Sequence, residues 1–170
     1  MESKELAQRL WEGGEVERCH AIPHIGEYNI AQHSWRAVML LYVLYPEASK
    51  NLIHALMFHD CHERYIGDTP ATALWSDGEF AKRYTALGKK TDMALGVDFD
   101  LTHEEVMWLS ALDKLELFLW TKDQVALGNY KASPMLGNLI HWFTRNEAPV
   151  AVREFVETHK ITRMGDDIPS

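Results

Sequence analysis

The chain has little of what would take it out of a reducing, aqueous compartment. It holds two cysteines in 170 residues, Cys19 and Cys61. Their placement matches no zinc-ligand spacing and is too sparse for a disulfide framework, although a single bridge stays open. Long hydrophobic runs are missing too. The longest, Ala37 to Tyr45, is too short to span a bilayer, and MESKELAQRL lacks the cationic start and apolar centre of a signal peptide. The expected location is the cytoplasm. Positive charge is also short, with 17 Lys and Arg against 25 Asp and Glu and a net charge of −8. That balance argues against a nucleic-acid polymer or a membrane surface as partner, so an anionic ligand has to be small and locally held. No β-period alternation of useful length, internal repeat, low-complexity tract or dividing linker is present. What remains is one compact all-α domain, residues 1–170, of about seven helices.

Local signals place those helices. Leu6, Ala7, Leu10 and Trp11 recur at helical spacing and stop at Gly13-Gly14. A loop follows over 15–29, unusually rich in functional side chains for a connector: Arg18, Cys19, His20 and His24. Asn29 with Gln32 reads as a capping box for a helix that runs to Pro46 with His33, Ala37, Leu40, Leu41 and Leu44 on one stripe. A third helix is expected from Ser49 to Gly67. Ser76 with Glu79, and Thr102 with Glu105, read as capping boxes for helices ending at Gly96 and Gly128. Ser133-Pro134 and Pro149 open the last two, and residues 160–170 are expected to fray.

The chemistry sits in ALMFHDCHERYIGDTP, residues 55–70. On a continuous helix, positions 52, 55, 56, 59, 60 and 63 form one stripe, which aims His59, Asp60 and Glu63 at the core. Burying two carboxylates costs several kcal/mol each unless a proton, a basic side chain or a metal compensates. His33 begins the inward face of the preceding helix. Asp113 interrupts the stripe Val106, Leu109, Leu117, Trp120 on a later one. Metal ligation explains all three positions together: two neutral imidazoles and two carboxylates balance a divalent cation, and a donor set without thiolate suits Mn, Fe, Co, Ni or Zn.

The pattern His33, His59-Asp60, Asp113 resembles the HD-domain phosphohydrolase superfamily over about residues 18–129. RCHAIPHIGEYNIAQHSW, HDCHERYIGDTP and ALDKLELFLWTKDQVALGN are similar to its 5′-deoxynucleotidase branch and to the small phage-type deoxynucleoside triphosphate hydrolases. The resemblance implies the compact HD-domain helical fold, a divalent metal (Co, Mn, Zn or Mg), a small nucleotide substrate and a homo-oligomer. It implies that Arg18 contacts phosphate, Glu63 is the catalytic glutamate and Asp68 reads the sugar 3′-hydroxyl. Cys19 stands where relatives often carry a tryptophan, so the pocket should be roomier and less able to stack a base. Leu74 and Ser110 stand where lysines are expected, which leaves phosphate contact to Arg18, His62, Lys82 or Lys114.

The activity expected from this set is hydrolysis of 2′-deoxyribonucleoside 5′-phosphates. The leading form is a dATP triphosphohydrolase, for which the basic run Lys82 to Lys90 could meet extended phosphates. The alternative is a 5′-deoxyribonucleotidase acting on monophosphates. A hydrolase of cyclic nucleotides or alarmones and a non-catalytic, metal-stabilised binding module are the remaining rivals, and intact Glu63 argues against the last.

Overall fold

The computed structural model describes residues 3–145 and 148–160. The structure is all-α: among these residues no strand forms, and one isolated antiparallel bridge, Glu17 to Asn29, closes the 15–29 loop at its base. Seven longer helices follow the expected order: α1 (Ser3–Gly13), α2 (Ile30–Leu44), α3 (Lys50–Phe58), α6 (Gly78–Leu95), α7 (His103–Ala126), α8 (Ser133–Arg145) and α9 (Val150–Lys160). Two short ones, α4 (Glu63–Ile66) and α5 (Ala71–Ser76), lie between α3 and α6. The tail expected to fray lies outside the described residues from 161 onward.

The caps do most of the sorting. Asn29 accepts the Gln32 N–H at 3.0 Å and starts α2, but Gln32 does not complete the box: its Oε1 is buried without a hydrogen-bond partner among the described residues. Ser49 accepts the Leu52 N–H at 3.1 Å to start α3. Thr102 and Glu105 make the full reciprocal box that starts α7, at 3.2 and 2.8 Å. Ser49 also donates to Glu105, so the beginnings of α3 and α7 are tied together. For α6 the cap is Asp77, accepting from Glu79 and Phe80, rather than Ser76, which closes α5. Ser133 does not act as an N-cap: its backbone is already helical, because α8 is entered from a 3-10 turn at Tyr130–Ala132.

The core is a slab between α2, α3, α7, α8 and α9. Ala37, Leu41, Leu52, Leu56, Ala111, Leu112, Leu115, Phe118, Val152 and Val156 are almost fully buried in it. The stripe expected on α7 is out of phase. Val106 is 51% exposed, and the buried positions are Trp108, Ala111, Leu112, Leu115, Phe118 and Trp120. Helix α7 packs on α2, α3, α8 and α9 and is buried almost all round, so no single apolar face records its orientation. Asp113 therefore lies on the flank of the buried sector.

A second, smaller cluster joins Cys61, Leu95 and Val97 with Leu6, Leu10, Phe58 and Phe99. It fixes α1 and the end of α6 against the α3–α4 joint. Cys61 is thus a packing residue; both cysteines are free thiols, and burial pushes each up to about 12.

Candidate metal centre

The third helix does not run on to Gly67. It ends at Phe58, and residues 59–62 form tight turns, with Cys61 N–H bonded to the Phe58 carbonyl at 3.0 Å and Glu63 N–H to that of Asp60 at 2.9 Å. The cause is local. The His59 ring donates from Nδ1 to the Leu56 carbonyl at 2.8 Å, an acceptor that a continuing helix would give to the Asp60 N–H. Breaking the helix splits the expected stripe and turns His59 and Asp60 towards α2 and α7.

There they meet His33 and Asp113. His33 Nε2 lies 3.2 Å from His59 Nε2, 3.4 Å from Asp113 Oδ1 and 3.7 Å from Asp60 Oδ2. His59 Nε2 lies 3.2 Å from Asp60 Oδ2 and 3.8 Å from Asp113 Oδ1. Separations of about 3–4 Å are those of donor atoms able to close on one ion at about 2.0–2.2 Å. His33, His59 and Asp60 form the tightest group able to hold an ion, and Asp113 flanks both histidines.

The tautomers make the same point chemically. His33 donates from Nδ1 to Glu116 Oε2 at 2.6 Å, and His59 donates from Nδ1 to the Leu56 carbonyl. In the neutral rings both Nε2 atoms then carry lone pairs, aimed at one another across 3.2 Å. Two acceptors at that distance, flanked by two carboxylates, need a proton or a metal cation between them, and the donor set fits a divalent metal. Burial opposes a charged His59, but Asp60 and Asp113 outweigh it and hold its imidazolium to about 9. Burial likewise opposes the Asp60 charge, and His59, Arg18 and His33 still hold its carboxyl below the usual range. The pocket is electrostatically built for positive charge.

Arg18 is buried at its mouth, paired with Asp60 and 3.7 Å from Asp113 Oδ1, its guanidinium over the Tyr28 ring. Glu63 opens α4 and is buried too. Burial, with Asp60 adding, pushes its carboxyl up to about 9. Arg18 Nε and Glu63 Oε2 find no hydrogen-bond partner among the described residues. Asp68 accepts the Cys19 N–H at 2.9 Å and lies 3.4 Å from His20 Nδ1. Cys19 has φ +56°, a left-handed turn that costs a residue with a Cβ about 1–2 kcal/mol, and the Asp68 contact holds it.

The remaining cations divide. Lys114 stands at the rim, with Nζ 3.6 Å from Asp113 Oδ2, 3.2 Å from Ser110 Oγ and 4.9 Å from the centre of the Trp142 ring. His62 is turned the other way, onto α6: Nδ1 meets both Asp92 oxygens at 3.2 Å, and the ring packs so close to Gly88 that a Cβ there would lie 3.1 Å from it. Lys82 pairs with Glu79 and its side chain is 77% exposed. Helix α6 meets the α4 region through Tyr84, Gly88 and Asp92, so Lys82, Lys89 and Lys90 lie on its exposed side.

Three residues that sequence reasoning missed hold the site from behind. Glu116, 2% exposed, receives both His33 and the Tyr28 hydroxyl. Gln124 pairs with both backbone groups of Ile25 at 2.8 Å, and Asn129 donates to the Pro23 carbonyl at 2.8 Å, which clasp the loop carrying Arg18 onto α7. His24 packs edge-on to Trp120 within that clasp. Glu116 lies one turn after Asp113, a spacing the sequence did show.

The fold and this cluster define a class, and the comparison with known families agrees: the HD domain family matches residues 15–107, more than half of the chain. The chain belongs to the HD-domain phosphohydrolase superfamily and is a metal-dependent phosphohydrolase. No curated protein sequence matches it. Among solved structures it is similar to the cyanophage S-2L HD phosphohydrolase DatZ bound to dA and one catalytic Zn2+ ion. The TM-score is 0.65 at 16% identity, over 95% of this chain and 98% of that one, a likeness of fold. No helix among the described residues is long and apolar enough to cross a membrane.

Proposed function

We propose that this chain hydrolyses 2′-deoxyribonucleoside 5′-phosphates, with His33, His59, Asp60 and Asp113 as ligands of one divalent ion. The favoured substrate is dATP, cleaved to deoxyadenosine and triphosphate. What carries the reading is the convergence of those four side chains beside a buried arginine and a buried glutamate oxygen with no hydrogen-bond partner among the described residues. The dA carried by the similar cyanophage enzyme supports the choice of base and sugar.

A divalent ion held there would polarise a phosphoryl oxygen and acidify water. The protein supplies the rest. Arg18 can offset charge developing on the phosphate, since its guanidinium already lies at the cluster. Glu63, whose carboxyl burial pushes up to about 9, can as the acid deliver a proton to the leaving oxygen or as the carboxylate orient the attacking water. Lys114, one helical turn from position 110, places a cation on the same face of α7 as the lysine expected there. Asp68 fixes the Cys19 amide and reads the sugar hydroxyl, and Cys19 leaves room beside it. In this reading His62 sets the place of Glu63 through α6, and the 82–90 run serves solubility. We further propose a single HD domain over 1–170, a cytoplasmic location (the host cytoplasm, for a phage protein) and a homo-oligomer with no membrane or nucleic-acid polymer as partner.

The test is to incubate the protein with dATP, dGTP, dAMP and ATP in the presence of Mn, Co, Zn or Mg and to separate the products. Deoxyadenosine with intact triphosphate is the expected outcome. Phosphate released only from dAMP would establish the 5′-deoxyribonucleotidase instead, and equal turnover of ATP and dATP would remove the sugar-reading role of Asp68.

A further inference from the structure

Glu116 is a costly residue for a structural position. It is 2% exposed and sits in the wall between the metal cluster and an outer groove of about 510 Å3, and the one Lys or Arg paired with it among the described residues, Arg36, reaches Oε1 only at 3.5 Å. A buried carboxylate with so loose a counter-ion is rarely the most stable choice, since an apolar side chain of like volume packs there without the desolvation cost. Its other contacts explain the placement. Oε2 takes the His33 Nδ1–H at 2.6 Å and also the Tyr28 hydroxyl, while Tyr28 stacks on Trp120 at 4.3 Å. The carboxylate is thus fixed in place and aimed at one ring nitrogen.

We infer that Glu116 is a positioning residue that sets the donor strength and tautomer of His33, resting on the reading of His33 as a metal ligand. An anionic acceptor on Nδ1 holds the proton there, keeps Nε2 free for the ion and makes it more basic. The two histidines differ in this respect. His59 gives its Nδ1 proton to the neutral Leu56 carbonyl, on a turn, whereas His33 is fully buried on α2 and leans on a full charge. His33 is therefore the permanent, strongly bound ligand, and His59 is the adaptable one.

The test is calorimetric titration of metal-free protein with Co2+ and Zn2+ for the wild type, Glu116→Gln and Glu116→Asp, together with the Co2+ absorption spectrum, the melting temperature of the metal-free forms, and kcat and KM on the substrate found above. Glu116→Gln keeps the shape and removes the charge; Glu116→Asp keeps the charge and withdraws it from His33, and remains informative if the amide fails to fold. Each should bind metal about 10–100-fold more weakly, the usual effect of losing an outer carboxylate, with an altered Co2+ spectrum and kcat lowered at nearly constant KM. A folded Glu116 variant that binds metal as tightly as wild type overturns the inference while leaving the metal centre intact. A wild-type protein that binds neither ion overturns both.

Discussion

The two walls of the metal cluster are built on opposite principles. On the α2–α7 side His33 is fully buried, its second nitrogen is taken by Glu116, and Tyr28 and Arg36 close the network behind it. On the side of the α3–α4 turn and the 15–29 loop, Arg18 Nε and Glu63 Oε2 are buried without hydrogen-bond partners among the described residues and Cys19 holds a left-handed backbone. Polar groups left unmatched in a buried place cost about 1–3 kcal/mol each, and α2 has two of its own, Gln32 Oε1 and Ser34 Oγ; what sets the second wall apart is that its unmatched atoms belong to ionisable side chains, Arg18 and Glu63, around the cluster. The difference teaches where the proposed roles part: the α2–α7 wall would position a metal ligand through Glu116, and the wall with Arg18 and Glu63 would meet substrate.

Changes that break the comparison outright come first. Asp60→Asn removes a charged donor at the meeting point of the two walls and should reduce both bound metal and turnover to background, as read by elemental analysis and product formation. Full metal content and activity in that variant would show that the cluster is not the site. On the reactive wall alone, Glu63→Gln should keep the metal and lose about 10²–10⁴-fold in turnover, the range for a positioned acid or base. Undiminished turnover would reassign Glu63 to packing.

The clasp sharpens the comparison more gently. Gln124→Ala frees both backbone groups of Ile25 and should cost about 1–3 kcal/mol in urea unfolding, with KM rising more than kcat falls, because the loop bearing Arg18 loosens. The smallest effect is expected far from either wall: Thr102→Ala deletes half of the α7 capping box and should lower stability by about 1 kcal/mol with the activity of the remaining folded protein unchanged.

Which features could be read from the chain follows from how local their causes are. Helix starts at Asn29, Ser49 and Thr102 were legible because a cap and its backbone partners lie within three residues. The break after Phe58 was not, since it depends on the His59 ring competing for the Leu56 carbonyl, and HDCHER carries no glycine or proline to announce it. The convergence of His33, His59, Asp60 and Asp113 was legible even though the α7 stripe was misplaced, because a histidine or an acid recurring near apolar positions on three segments needs a common partner. Glu116 was hidden for the opposite reason. An acid on a long helix with other charges reads as surface, and only the approach of Tyr28 and His33 from another part of the chain buries it.

The central claim is that one divalent ion, held between the two walls, makes this protein a phosphohydrolase. Its most direct test is to strip the protein with a chelator, weigh the native protein for bound metal, and restore Mn, Co or Zn in steps while following dATP and dAMP hydrolysis. The account predicts no turnover without metal and activity that rises in proportion to occupancy until one ion is bound per chain. Full hydrolysis by metal-free protein, or one ion bound with no deoxynucleotide cleaved, would contradict it.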